Sequence, residues 1–341
     1  MFRKMATNPD EVGKSLKVVL ENIQKAVALR PKSLPDVHPR LVAVTKTKPV
    51  SDIIAAYSHG QRHFGENYVQ ELCEKSNDTQ LQESCAEIKW HFIGHLQRNK
   101  ANKIAVLPNL YMVETVDSQK LAQTLNNVWE KHRRTGKLKV MVQVNTKGEE
   151  NKSGLQAGDV EGLTRFVIDR CPCLEFAGLM TIGSYGYDPA DGPNPDFLAL
   201  VRQREELCQA LGRSLDQVEL SMGMSTDYMH SIELGSTNVR VGSTIFGARN
   251  YPQKPGSQSK GSSTEGNQSD STSDAGASSA VATSENNSQS DSGAKNSQSS
   301  AGSNNQSESS NVSSNCDSLT GNSEVSQERT VNDIQNLSLR N

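Results

Sequence analysis

Aromatic residues and long apolar runs are scarce in this sequence. Phe, Trp and Tyr make up 5% of its 341 residues, and no apolar run approaches the roughly 18 residues that a membrane-spanning helix needs. The N-terminal stretch MFRKMATNPDEVGKSL also lacks the apolar centre of a signal peptide. We therefore expect no membrane association and a cytoplasmic location. A mitochondrial fraction is the alternative, because two cations lie close to the N-terminus.

The sequence also has few cysteines and a small net charge. There are 6 cysteines, and only Cys171 and Cys173 lie close together, with no second pair or histidine cluster to complete a metal site. We interpret the cysteines as reduced thiols and predict no metal. The formal net charge is −3, and because the excess of acidic residues lies after residue 250, residues 1–250 are close to neutral. A nucleic-acid surface is not expected on such a segment.

The last quarter of the chain lacks the residues that build a core. From residue 251 onward it consists mainly of Ser, Asn, Gly and Gln, with five Lys or Arg against ten Asp or Glu. Such a segment cannot bury enough apolar surface to offset its conformational entropy. We predict a disordered Ser/Asn/Gly-rich tail over 251–341. The remaining part has the size of one α/β barrel.

What the sequence does contain is a regular alternation of strand and helix patterns. An amphipathic helix is predicted over 9–30, and eight strands follow, at 41–46, 63–66, 90–94, 110–116, 138–144, 174–182, 218–222 and 239–246. Each of the first seven strands precedes a helix, which favours parallel pairing in a closed (β/α)8 TIM barrel. An open doubly wound sheet is the alternative, but it predicts a glycine-rich turn after the first strand, where this chain has TKTKP. We predict an N-terminal helix packed on the barrel (1–39), the barrel itself (40–250) and the tail (251–341).

Polar residues recur at the C-terminal ends of these strands, where a barrel places its chemistry. Lys46 ends the first strand. MGMS (222–225) and RVGST (240–244) offer glycines, hydroxyls and backbone N–H groups after strands seven and eight, where barrels commonly hold a phosphate. Pyridoxal 5′-phosphate (PLP) fits this span, because its aldehyde condenses with a lysine and its phosphate lies at the other end.

Two lysines compete for that role. Lys46 and Lys48 have the same parity along the strand, so alternation does not choose between them. Position favours Lys46, because Lys48 is expected in a solvated loop. Arg240 is the candidate partner of the PLP ring nitrogen. An arginine does not give up its proton, so the ring nitrogen would stay unprotonated and the ring would be a poor electron sink.

Six stretches resemble, in order, the PLP homeostasis protein family, also called the proline synthetase co-transcribed homologues. They are LVAVTKTKP (41–49), FGENYVQE (64–71), KWHFIGHLQ (89–97), GLMTIGS (178–184), ELSMGMS (219–225) and VRVGSTIFG (239–247), and the resemblance covers about residues 10–250. It implies the barrel domain of alanine racemase, known as fold type III of PLP proteins. It also implies a Schiff base on Lys46 and further cofactor contacts from Asn67, His91, Met222, Ser225, Arg240, Gly242, Ser243 and Thr244. In that family Met222, Ser225 and the last three would hold the phosphate.

The resemblance implies a non-catalytic PLP carrier that keeps PLP and vitamin B6 pools in balance, with PLP-dependent apoenzymes as candidate recipients. A PLP-dependent amino-acid racemase or lyase is the alternative, and a phosphosugar barrel with Lys46 as an aldolase lysine is a third. Racemisation needs an acid/base group on each face of the substrate, and in alanine racemase a domain after the barrel supplies the second. Here the tail follows instead. His91 or His95 would have to replace that group, but a packing or hydrogen-bonding role is favoured for both. We also expect a monomer, since the second domain is lacking.

Overall fold

The computed structural model describes residues 8–132, 134–148, 153–184 and 186–248. The predicted tail, 251–341, lies outside the described residues, as does most of the region before the first helix.

Eight strands pair in chain order and close into a barrel in which every neighbouring pair is parallel. The last strand pairs with the first, with Val42 opposite Arg240. The predicted closed barrel is therefore confirmed over the open sheet. The strands are β1 Arg40–Val44, β2 His63–Glu66, β3 Lys89–Phe92, β4 Leu110–Val116, β5 Leu138–Gln143, β6 Leu174–Met180, β7 Glu219–Met224 and β8 Asn238–Val241.

Helices connect the strands around the outside of the barrel. They are α1 Pro9–Ala28, α2 Val50–Ser58, α3 Val69–Ser76, α4 Thr79–Ser84, α5 Ala101–Ala105, α6 Gln119–Lys131, α7 Val160–Arg170, α8 Pro195–Leu211, α9 Tyr228–Glu233 and α10 Ser243–Phe246. The side chain of Asn8 caps α1 by accepting the N–H of Asp10. The buried face of α1, which includes Val12, Leu16 and Ile23, packs toward α2, α9 and α10. None of the helices in the described ranges is long and apolar enough to cross a membrane.

The barrel has an apolar outer layer and a partly polar interior. Outward-facing strand residues such as Phe64, Trp90 and Phe92 belong to the large core shared with the helices. The interior holds a small cluster around Met112, Met141 and Met180, together with buried polar side chains, namely His91, Glu114, Ser221, Asn238 and Arg240. Burying these charges requires partners, and the hydrogen bonds among them define the floor of the candidate site.

The predicted ends of β1, β3, β5, β6 and β7 differ from the structure by one or two residues, and that of β8 differs by five. Strand eight was predicted to reach residue 246, but β8 stops at Val241 and a short helix, α10, follows Gly242. Ile245 and Phe246 are buried as the apolar pattern required, but on a helical turn. β6 stops at Met180, and β1 stops at Val44 because the chain turns sharply after it. The sequence pattern also missed α4, which the Asp78 side chain caps.

Candidate functional site

Lys46 lies in a tight turn directly after β1. The N–H of Lys48 donates to the carbonyl of Thr45 at 2.9 Å and closes a β-turn with Lys46 second and Thr47 third. The φ angle of Thr47 is 64°, the positive value that a type II turn requires at that position. Lys46 is half-buried, so its side chain leaves a sharply defined turn at the C-terminal edge of the barrel.

The prediction that Lys48 is solvated was wrong. Lys48 is 9% exposed, and its Nζ donates to the carbonyls of Phe246 at 2.5 Å and Ala248 at 3.0 Å. The Phe246 carbonyl belongs to the last residue of α10 and the Ala248 carbonyl lies two residues beyond it, and the ammonium group bonds to both. Burial lowers the pKa of Lys48, and the charge of Asp52 opposes this shift. Lys48 therefore ties the turn after β1 to the segment after β8.

The expected phosphate loops meet at one place. The N–H of Gly242 donates to Ser225 Oγ at 3.1 Å, and Thr244 Oγ1 donates to the Ser225 carbonyl at 3.3 Å. Ser243 and Thr244 are exposed on the first turn of α10. A Cβ on Gly242 would lie 3.2 Å from the carbonyl oxygen of Val44, so the close approach of the two segments favours glycine there.

Met222 does not join this group through its side chain. It lies within β7, is fully buried and packs in the outer core. Its carbonyl accepts a hydrogen bond from Ser236 Oγ at 2.8 Å.

Arg240 is held from two sides inside the barrel. It is 4% exposed, its Nη1 donates to Ser221 Oγ at 2.6 Å, and its Nη2 donates to the carbonyl of Thr181 at 2.8 Å. Ser221 Oγ in turn donates to Glu114 Oε2 at 2.5 Å. The guanidinium is thus connected to a buried carboxylate through one hydroxyl.

Glu114 continues the chain of hydrogen bonds across the interior. Its Oε1 lies 2.6 Å from His91 Nδ1 and accepts from Asn238 Nδ2 at 3.0 Å. Burial would raise the pKa of Glu114, but the hydrogen bond and charge of His91 and the charge of Arg240 lower it to about 2. Burial lowers the pKa of Arg240, and the charge of Glu114 opposes this shift. Arg240, balanced by Glu114, therefore places a positive charge where the ring of a cofactor is expected.

His91 uses both ring nitrogens within this network, since its Nε2 lies 2.8 Å from His63 Nδ1. It is fully buried. His95 is different: its side chain is 53% exposed, and its Nδ1 lies 3.5 Å from Asp117 Oδ2. The contacts of His91 support a positioning role for that ring over one as a mobile acid/base group.

Asn67 follows β2 at the same height as Lys46 follows β1, because Val44 lies opposite Gly65. Its Oδ1 is buried without a hydrogen-bond partner in the described part of the chain, as is Thr47 Oγ1. Buried polar oxygens are normally hydrogen-bonded, so these two are suited to a polar ligand at the strand ends. A Cβ on Gly94 would collide with the backbone carbonyl of Asn67, so glycine at 94 sets the path of this loop.

A cavity of about 240 Å³ opens at the ends of β5 and β6. Asp196 lines it and accepts hydrogen bonds from Ser184 Oγ at 2.6 Å and Thr146 Oγ1 at 2.9 Å. Burial would raise the pKa of Asp196, but these hydrogen bonds lower it. The sequence patterns missed Asp196, which looks like an ordinary first-turn acid of α8. They also gave no role to Glu114, although a carboxylate inside an apolar strand is an available signal.

The residues present fit PLP. Arg240 on β8 supplies a buried cation, and an amine on a defined turn, two polar oxygens and small residues with hydroxyls follow the ends of β1, β2, β7 and β8, which are consecutive around the barrel. Among the described residues, no three His, Cys, Asp or Glu side chains are grouped as a metal site would require.

Comparison with known proteins places this geometry in context. The family model for the alanine racemase N-terminal domain matches residues 16–250. The pyridoxal phosphate homeostasis protein of Bos taurus is 58% identical over 243 residues, which is 71% of this chain and 89% of that protein. The protein of the same name from Caenorhabditis elegans is 48% identical over 244 residues, covering 71% and 98% of the two chains. A solved structure of PipY from Synechococcus elongatus PCC7942, with PLP bound, shares 30% identity at a TM-score of 0.56 and covers 69% of this chain and 100% of that one.

Proposed function

The chain belongs to the pyridoxal phosphate homeostasis protein family, whose barrel is the alanine racemase N-terminal domain, and we propose that it binds PLP and takes part in the homeostasis of PLP and vitamin B6. The names of its relatives and the PLP-bound structure of PipY support this proposal.

The observation that carries the proposal is the pairing of β1 with β8. Val42 on β1 lies opposite Arg240 on β8. The turn with Lys46 and the start of α10 therefore follow two neighbouring strands. Lys48 joins the turn to the end of α10. A ligand with a carbonyl group at one end and a phosphate at the other would therefore meet both ends of its site on one side of the barrel.

Each site residue has a proposed part in binding. Lys46 is the covalent attachment point through a Schiff base, and Arg240 faces the ring nitrogen. Asn67 offers its orphaned oxygen to the ligand, and His91 supports the pocket floor through Glu114. The phosphate is held by residues with small side chains and peptide N–H groups on the two loops, namely Ser225, Gly242, Ser243 and Thr244, and Met222 contributes through its place in β7 below them.

We propose that the protein is a carrier and not an enzyme. Bound PLP supplies an electrophilic aldehyde and a ring that withdraws electrons best when its nitrogen is protonated. Arg240 does not transfer a proton to that nitrogen, because an arginine stays protonated in proteins, and the charge of Glu114 opposes the lowering of its pKa by burial. His91 is already hydrogen-bonded at both nitrogens, so it is poorly placed to move a substrate proton.

The remaining parts of the proposal concern the setting of the protein. We propose a cytoplasmic monomer with PLP-dependent apoenzymes as recipients of the cofactor. The supporting observation is chemical: a reversible attachment to a lysine can be exchanged for another amine, including the lysine of a second protein.

The test uses the full-length protein with and without PLP. After dialysis it should retain about one equivalent of PLP with a visible absorbance band, and it should exchange the α-proton of amino acids in deuterated water no faster than free PLP does. Exchange well above that of free PLP would establish a racemase or lyase instead. A protein that retains no PLP would overturn both the carrier and the racemase or lyase.

A further inference from the structure

The turn that carries Lys46 rests on a cluster of three ionisable side chains, two of which are buried. Lys75 on α3 is 5% exposed. Its Nζ lies 2.6 Å from Glu66 Oε1, at the end of β2, and 2.9 Å from Glu71 Oε1, one helical turn earlier on α3. Glu66 is fully buried. We call Glu66, Glu71 and Lys75 the clamp.

The clamp holds the chain on both sides of Lys46. Lys75 Nζ donates to the carbonyl of Thr45 at 2.7 Å, and Thr45 Oγ1 donates to Glu66 Oε1 at 2.7 Å. On the other side, Glu71 Oε1 accepts the N–H of Thr47 at 2.8 Å. The residues before and after Lys46 are therefore each fixed by a charged group, and bonds of this kind are the strong ones.

The turn needs such support because its third residue is unfavourable. Thr47 is β-branched and has a φ of 64°, a region that non-glycine residues rarely occupy. A strained backbone of this type persists only when its surroundings hold it. The hydrogen bond from the Thr47 N–H to Glu71 supplies part of that restraint.

Overall stability does not explain the clamp. Burial together with the charge of Glu71 raises the pKa of Glu66 against the opposing effect of Lys75, so the carboxylate form of Glu66 is held at a cost. Buried ion pairs are weak evidence for stability, and apolar residues of the same size often serve better. The three side chains instead fix the backbone conformation of the turn that carries Lys46.

We propose that the clamp presets the turn so that the Lys46 amine is presented to PLP, which makes Glu71 and Lys75 positioning residues for cofactor attachment. This inference rests on the proposed function. A preset turn loses little conformational freedom when the amine becomes attached, so the attachment is favoured. A loosened turn should weaken attachment at Lys46 while leaving the phosphate loops, which follow β7 and β8, intact.

The test compares Glu71→Ala with Glu71→Gln. The glutamine keeps an oxygen that can accept the Thr47 N–H, whereas alanine removes it. We expect Glu71→Ala to raise the dissociation constant of PLP about tenfold, equivalent to about 1.4 kcal/mol, and to speed hydrogen exchange at the Thr47 amide in the PLP-free protein. We expect Glu71→Gln to stay within about twofold of the wild type, since the hydrogen bond to the turn survives.

A control separates the clamp from general destabilisation. Glu219→Ala removes a carboxylate that pairs with Arg40 Nη1 at 2.5 Å, at the start of β1. It should lower stability without changing PLP affinity or exchange at Thr47.

Two results would overturn the clamp alone. One is a Glu71→Ala protein that binds PLP and exchanges at Thr47 like the wild type, and the other is an equal loss of PLP affinity in Glu71→Ala and Glu219→Ala. A wild-type protein with no lysine-bound PLP would instead overturn the proposed function, and the positioning role with it.

Discussion

Replacing Ser221 with alanine tests whether one hydroxyl holds the charged interior of the barrel together. Ser221 Oγ donates to Glu114 Oε2 at 2.5 Å and accepts from Arg240 Nη1 at 2.6 Å, and all three residues are buried. Hydrogen bonds to charged groups contribute about 1.5–3 kcal/mol each. We expect Ser221→Ala to lower the free energy of unfolding by about 3 kcal/mol. This is the low end for two such bonds, because Arg240 and Glu114 still attract each other without the hydroxyl.

Ser231→Ala is the matched control. Ser231 is also fully buried, but its Oγ donates to the uncharged carbonyl of Tyr228 at 2.8 Å, which contributes about 1 kcal/mol. Urea unfolding of both variants can be followed by the fluorescence of the buried Trp90 and Trp129, with stability taken from the midpoint and slope. A loss in Ser221→Ala no larger than that in Ser231→Ala would refute the assigned role of the hydroxyl.

Three further predictions concern pH, a glycine and the tail. Burial and neighbouring positive charges lower the pKa of His63 from 6.5 to about 3. The unfolded chain therefore binds a proton that the folded protein does not, so stability should fall as the pH drops below about 6.5, and His63→Gln should flatten this dependence in urea titrations. Gly94→Ala should weaken PLP retention in equilibrium dialysis, because a Cβ there meets the carbonyl of Asn67, whereas Gly162→Ala has open space around its Cβ and should not; equal PLP retention in both would contradict this. Deleting 252–341 should leave PLP titration and unfolding unchanged, and a loss of either would contradict a domain boundary near residue 251.

The order of helices and strands could be predicted because each of these elements depends on residues that are close together in the sequence. The apolar spacing over 9–30 gave α1, and the strand and helix alternation gave the barrel order. The end of β8 was missed because Ile245 and Phe246 satisfy a strand pattern as well as a helical one, and only the backbone at Gly242 decides between them.

The site was less predictable because its contacts join distant parts of the chain. Lys48 is buried by carbonyls about two hundred residues later, so no local pattern could show that it is not a solvated loop residue. The hydroxyl that links Arg240 to Glu114 likewise comes from a different strand, and its partner lies 107 residues away. Lys46 and the phosphate loops could be proposed because they lie at strand ends, a position that the barrel pattern itself defines.

The central claim is that Lys46 attaches the cofactor and that Lys48 is a structural tether. The most direct measurement is the visible absorbance of PLP-loaded Lys46→Ala and Lys48→Ala proteins. We predict that Lys46→Ala lacks the band of lysine-bound PLP. Lys48→Ala should keep that band, although it loses the contacts to Phe246 and Ala248 and should unfold more easily. A folded Lys46→Ala protein that keeps the band, or a folded Lys48→Ala protein that loses it, would contradict the account.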